Sequence, residues 1–152
     1  MKGGEMSEEY SEIIKSLYNQ LSLTPANNIE DITSLQIDQH VCHITEYPEG
    51  QLLMFANIGH LDNLDLKALL TMNMFSQLLY KPMLAFDEFS NGAVIWSRQA
   101  ISLIQDNAAY KQLELLADFA DKAIETQTGV FSDKGVEDEK PSSNVEFLNF
   151  KV

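Results

Sequence analysis

The first helical periodicity lies near the start of the chain. Between Ser7 and Leu23 the large apolar side chains are Tyr10, Ile13, Ile14, Leu17, Tyr18 and Leu21. That three- and four-residue spacing makes one helical face. Ser7 is placed to cap this helix, and Glu8 and Glu9 fall in the first turn, where the helix dipole favours negative charge. Pro25 and Asn27-Asn28 end it. From Leu35 the period changes. Val41 to Tyr47 is rich in strand formers, Pro48-Glu49-Gly50 reads as a turn, and Gln51 to Ile58 reads as an apolar strand that Gly59 closes.

A second helix is predicted over about Leu64 to Tyr80, and it is over-supplied with apolar groups. One stripe is Leu66, Leu70, Met74 and Leu78; another is Leu69, Met72, Phe75 and Leu79. A helix that buries one face needs one stripe. The second stripe asks for a second cover, and a second protomer is the simplest one, because a central buried helix in a monomer needs more chain around it.

Pro82 stops that helix, and MLAFDEFSNGAVIWSR follows from Met83 to Arg98. Asn91-Gly92 is a hairpin signal, since both residues tolerate the positive φ of a type I′ turn. A two-residue loop would pair Ser90 with Ala93, Phe89 with Val94, Asp87 with Trp96 and Ala85 with Arg98. Leu84, Phe86, Ile95 and Ser97 then share one face, and large apolar groups stand on both faces. A third helix is predicted over about Asn107 to Gln127, with Tyr110, Leu113, Leu116, Ala117, Ala120 and Ile124 turned inward and Gly129 just past its end.

The order is helix, two or three strands, helix, hairpin, helix: an α+β domain on an antiparallel sheet. It is expected to occupy residues 7–128, after a leader over 1–6. Met6 serves as well as Met1 for a start. Beyond Gly129 the stretch FSDKGVEDEKPSSN is polar and turn-rich, and reads as a flexible tail over 129–152. It ends in an apolar island, VEFLNFKV, which would suit a strand added to this sheet, to a neighbour, or to a client groove.

Charge narrows the function. Ten basic residues against 23 acidic ones give −13, and Arg98 is the one arginine. Such a surface repels phosphate backbones and anionic lipid, so nucleic-acid and membrane-surface partners are disfavoured, while basic segments are attracted. A single cysteine, Cys42, excludes an intramolecular disulfide. The opening MKGGEMSEEY has no apolar run for a signal peptide, and no stretch reaches 18 apolar residues, so a cytoplasmic protein is expected.

Candidate chemistry is sparse. His40-Val41-Cys42-His43 is the one metal-like cluster, with His60 after the next strand. In a strand His40 and Cys42 share a face and His43 takes the other, so they do not converge without a bulge. A Cys-His nucleophile would need Cys42, His40 and His60 in one pocket. No P-loop, dinucleotide or GxSxG motif occurs. Asp62 and Asp65 fall where a helix start wants negative charge, and Asp87 and Glu88 face opposite sides of a strand. No catalyst and no cofactor are expected. Six methionines, among them Met72, Met74 and Met83, would suit an adaptable apolar surface, or fill core.

The order and spacing of LQIDQHVCHITEY, LLMFANIGHL, LLTMNMFSQLL and LAFD…GAVIW resemble the type III secretion chaperones of the CesT (Tir-chaperone) class, over about Glu8 to Gln127. The resemblance implies a small ATP-independent homodimer that holds the N-terminal chaperone-binding segment of a secreted effector and delivers it to the secretion apparatus, with the secretion ATPase as a further partner. It implies a dimer interface through Leu66, Leu70, Met74, Leu78 and Trp96. Client-binding patches would form on the first helix and the sheet, from Ile13, Leu17, Leu53, Phe55, Leu84, Phe86 and Ile95. The region from Leu35 to Ile58 is short for that class's three strands, which leaves the first edge of the sheet open. The rival reading is a dimeric adaptor of roadblock-like or similar architecture that binds a folded regulatory partner.

Overall fold

In a computed structural model of the chain, residues 7–24, 28–60, 65–105 and 107–128 are described. Helix α1 (Glu8–Gln20) starts where Ser7 accepts the Tyr10 N–H on its side chain. It buries Tyr10, Ile14 and Leu17. Three strands follow: β1 (Ile32–Ile37), β2 (His40–Glu46) and β3 (Gln51–Gly59). The first edge strand therefore begins before Leu35, over residues whose burial alternates from Thr33 onward. Helix α2 spans Leu66–Thr71, β4 Met83–Asp87, β5 Gly92–Ala100 and α3 Ala108–Thr128, with one tight helical turn at Ile101–Leu103.

The five strands form one antiparallel sheet in the order β1-β2-β3-β5-β4. Its helix-side face carries Leu35, Cys42, Ile44, Leu52, Met54, Ala56 and Ile95, all buried. Tyr10 of α1 donates its hydroxyl to the Ile44 carbonyl, and Leu113, Leu116, Ala120 and Ala123 of α3 close the core. Burial of the phenol raises the Tyr10 pKa to about 12.

One polar side chain fixes α3 on the sheet. Gln112 is fully buried. Its amide donates to the carbonyls of Leu52 and Ser97 and to the Ser97 hydroxyl, at 3.3, 3.2 and 3.1 Å, and its oxygen accepts from Gln99 at 2.6 Å. Every polar atom of that side chain is satisfied, the condition for burying an amide. At the far end of the helix His40 Nε2 lies 2.7 Å from Asp121. So α3 runs from the Leu52–Ser97 end of the sheet to the β1–β2 turn.

A carboxylate does the same for α1. Glu46 Oε1 accepts from the Ser7 N–H at 3.0 Å and Oε2 from the Gly50 N–H at 2.9 Å. Burial works to raise its pKa, yet these N–H groups and the Ser7 side chain outweigh it, and the carboxyl sits below its usual value. Gly50 has φ +86, a left-handed turn conformation that suits glycine, and Tyr47-Pro48 is cis.

Two expectations are corrected. The second helix stops at Thr71 instead of running to Tyr80. Its last turn tightens into i→i−3 hydrogen bonds, Met72 to Leu69, Asn73 to Leu70 and Met74 to Thr71. The chain then leaves the helix, because Asn73 satisfies the backbone of β4: Leu84 N–H donates to its Oδ1 at 2.7 Å, and its Nδ2 donates to the Leu84 carbonyl at 3.0 Å. Lys81 Nζ donates to the Met72 carbonyl and stands over the Phe119 ring at 5.1 Å. The hairpin is also re-registered. Asp87 pairs with Gly92 and Met83 with Trp96, so Glu88 to Asn91 form the connection. The shift is four residues, an even number, so each side chain keeps its expected face. Gly92 is needed for packing rather than for the turn: a Cβ there would meet the Gly59 carbonyl oxygen at 3.1 Å.

Candidate functional site: two apolar surfaces

Among the described residues the sheet is covered by helices on one side only. Its other face displays Val41 and His43 of β2, Leu53 and Phe55 of β3, Val94, Trp96 and Arg98 of β5, and Met83 and Ala85 of β4, none of them buried. Phe55 and Trp96 are direct cross-strand partners. His43 lies 5.0 Å from Phe55 ring to ring, and the Arg98 guanidinium stands 5.3 Å from the Trp96 ring. An aromatic strip thus crosses the centre of an uncovered sheet face, with one cation on it.

A second surface follows from the early end of α2. Once the chain leaves the helix at Met72, one stripe no longer has a sheet beneath it. Leu69 remains in the core, while Leu70, Phe75 and Leu79 are 64, 61 and 75% exposed, and Met74 and Leu78 are exposed as well. Phe86 of β4 is exposed as well, and the Phe89 side chain at the hairpin tip stands fully in solvent. So many large apolar groups along one margin of a small domain is the kind of patch that monomers rarely leave open.

The residues expected at the dimer seam divide between these surfaces. Leu70, Met74 and Leu78 lie on the exposed margin; Trp96 lies on the open sheet face; the Leu66 side chain lies outside the described residues. Of the expected client residues, Leu53 and Phe55 sit beside Trp96 on the open face, Leu84 is half-buried, and Phe86 is exposed on the margin. Ile13 is half-buried on α1. Leu17 and Ile95 are 1% exposed and belong to the core, where no client reaches them without opening it. The spacing argument failed there because a residue facing the sheet and one facing solvent have the same period; only packing tells them apart. Phe75 and Leu79 belong to the second apolar stripe of the expected helix and are not among the residues expected at the seam or the client patches. The signal that could have found them is Asn73, whose amide fits a strand edge better than a helix interior.

The candidate chemistry does not converge. His40 faces Asp121, His43 bonds the Ser34 hydroxyl at 2.8 Å, and His60 Nδ1 lies 2.7 Å from the Asn91 carbonyl. Burial pushes the Cys42 thiol up to about 11, away from a nucleophile's range. Among the described residues no group of three His, Cys, Asp or Glu side chains is arranged to hold a metal ion, and no helix is long and apolar enough to cross a membrane. What stands out is surface shape and hydrophobicity.

That combination has known counterparts. The model of the Tir chaperone protein (CesT) family matches residues 12–123. The chain belongs to that family. It is 40% identical over 114 residues to the YopE regulator of Yersinia pestis, an alignment covering 74% of this chain and 87% of that protein. The YopE regulator of Yersinia enterocolitica is 37% identical over 113 residues, with the same coverage. Among solved structures, the ExoT–SpcS complex of Pseudomonas aeruginosa contains a chain that superposes with a TM-score of 0.70 at 34% identity, over 78% of this chain and 99% of that one. The Yersinia pestis type III secretion chaperone SycH, in complex with a stable fragment of YscM2, superposes at 0.65 and 25%, over 75% and 98%. The α+β architecture with its five-stranded antiparallel sheet is the fold of these secretion chaperones.

Proposed function

We propose that this CesT-family chain is an ATP-independent chaperone, working in the cytoplasm, that binds the N-terminal segment of a type III secreted effector and keeps it ready for secretion. The observation that carries the reading is the uncovered sheet face with Phe55 and Trp96 at its centre. An extended segment gains main-chain hydrogen bonds at a strand edge and side-chain pockets on such a face, and an amphipathic helix gains burial in an apolar groove. Relatives of the same fold are chaperones found with protein partners, ExoT with SpcS and a YscM2 fragment with SycH, which supports a protein client here. The net charge of −13 favours client segments with basic residues. No turnover is involved in this role.

The test is titration calorimetry with an N-terminal segment of an effector encoded beside this chain. The proposal expects saturable binding by a peptide that is unfolded when free. Phe55→Asp is expected to weaken it on the order of 30-fold or more, the loss typical of an aromatic anchor, with an unchanged circular dichroism spectrum. Binding only to a folded partner would favour the adaptor reading instead.

The exposed margin at Leu70, Met74, Phe75, Leu78 and Leu79 is proposed as the seam of a homodimer, with the secretion ATPase as a further partner of the loaded dimer. Self-pairing of one apolar patch is the commonest closed assembly, and it covers groups that a monomer leaves in water. Leu70→Asp is expected to give monomer in size-exclusion chromatography with light scattering, because a charge would be buried at the seam. An unchanged dimer would count against this seam.

A further inference from the structure

The five strands carry few charges, and the direction in which each one points is informative. Arg98 is the only lysine or arginine in the strands, and Glu46 and Asp87 are their only carboxylates. Glu46 turns to the helix side, where its oxygens take the Ser7 and Gly50 N–H groups. Asp87 stands at the hairpin end, where its oxygens accept from the Phe89 N–H at 3.1 Å and the Ser90 hydroxyl at 2.8 Å. It pairs with Gly92, six residues along β5 from Arg98, which is about 20 Å of strand. Arg98 therefore stands on the uncovered face with no strand carboxylate in reach.

Its guanidinium presents N–H donors in a rigid fork, a shape that matches a carboxylate at two points. Among the described residues no hydrogen bond or ion pair takes any of these donors; what the group meets is the Trp96 ring at 5.3 Å. This is the one arginine of a chain with 23 acidic residues. In such a chain an exposed cation finds an acidic neighbour easily, and here the fold keeps it from one. The Trp96 ring also limits the freedom of the long side chain, and so reduces the entropy lost when a partner is captured.

We propose that Arg98 sets the sequence preference for clients by taking an aspartate or glutamate side chain of the bound segment. The inference rests on the client reading of this face and names what the face selects. Leu53 is the strand partner of Arg98, and Phe55 that of Trp96, so the two pairs form adjacent rows. Residues i and i+2 of an extended segment lie about 7 Å apart on one side, the spacing of those rows. A segment that seats a large apolar side chain on the Phe55–Trp96 row thus brings the residue two positions away over Leu53 and Arg98. The preferred client carries an acid there. The net charge of −13 works at longer range and in the other sense, drawing in basic residues until salt screens it. The Arg98 contact is local, and it fixes where along the segment one acid must stand.

Titration calorimetry on the full chain tests this with the N-terminal segment of an effector encoded beside it. In one peptide every Asp and Glu is replaced by Asn or Gln; in a further set they are replaced singly. One single replacement, two residues from a large apolar residue, is expected to weaken binding about tenfold, in the range of a charge-assisted hydrogen-bonded pair. Arg98→Gln is expected to weaken the natural segment by the same factor and to bind that replaced peptide no worse, so the two losses do not add. Undiminished binding of the fully replaced peptide would overturn the proposal, and so would additive losses. If Phe55→Asp loses the segment while Arg98→Gln holds it as tightly as the native protein does, the client reading stands and the role of Arg98 is wrong. Absence of saturable binding by the natural segment would overturn both.

Discussion

Gln112 shows how much one residue decides here. Its amide has three acceptors in the sheet and its oxygen one donor, all inside the core. Gln112→Ala would leave the carbonyl groups of Leu52 and Ser97 with fewer partners and open a void. We expect a loss of about 2–3 kcal/mol in urea unfolding, the range for orphaned buried polar groups. Glu46 acts at the surface end of the same logic. Its carboxyl is held below its ordinary value of 4.5. Its contribution is therefore present above that value and is lost as pH falls through the lower folded value. Glu46→Gln is expected to cost about 1 kcal/mol at pH 7 and less near pH 3, where the unfolded chain binds the proton and part of the folded-state advantage is lost. Unfolding curves at the two pH values read the difference.

At the scale of elements, the tie between Asn73 and Leu84 holds residues 72–82 against β4. Asn73→Ala is expected to cost about 1–2 kcal/mol, and to speed exchange of the Leu84 amide while leaving β2 and β3 protected. The same tie explains what the sequence hid. Helix α1 was legible to within a few residues because its cap, its first-turn acids and its apolar face are all local signals. Helix α3 was legible from its apolar face alone, since its first turn carries no acid. The second helix was not, since Leu66 to Leu79 keeps a helical period throughout and what interrupts it is a strand eleven residues further on. The hairpin was found from Asn91-Gly92, but its register was set by Gly92 packing on Gly59 and by the bulge at Asn57–Gly59, contacts between distant residues. At the candidate site the same division holds. Leu53, Phe55, Leu70, Met74, Leu78 and Phe86 were legible as surface because alternation and over-supply mark them. Leu17 and Ile95 have the same pattern and lie in the core.

For the whole molecule, one fact organises the rest: among the described residues the helices lie on one side of the five strands and leave half of the sheet's side chains without a cover. The acidic charge keeps such a molecule soluble while it shows Phe55, Trp96 and the Leu70–Leu79 margin to water. Two apolar surfaces on different sides are what a protein needs if it is to bind its own copy and a client at once. Leu79→Asp and Phe55→Asp are therefore expected to separate the two properties. The first is expected to lose the dimer in light scattering and the second to lose the client in calorimetry, each at its own surface.

Cys42 sits between Leu35 of β1 and Ala56 of β3, with no exposed surface and a thiol pushed up to about 11. A thiol reagent therefore reaches it only when the first two strands or the helix above them come apart. Labelling under native conditions should run on the order of 10³-fold slower than for a free thiol if that opening costs about 4 kcal/mol. The protein thus carries one silent reporter at its centre. Its reaction rate would time how often the domain breathes, and whether a bound segment slows that motion, with no label on the surface where binding occurs.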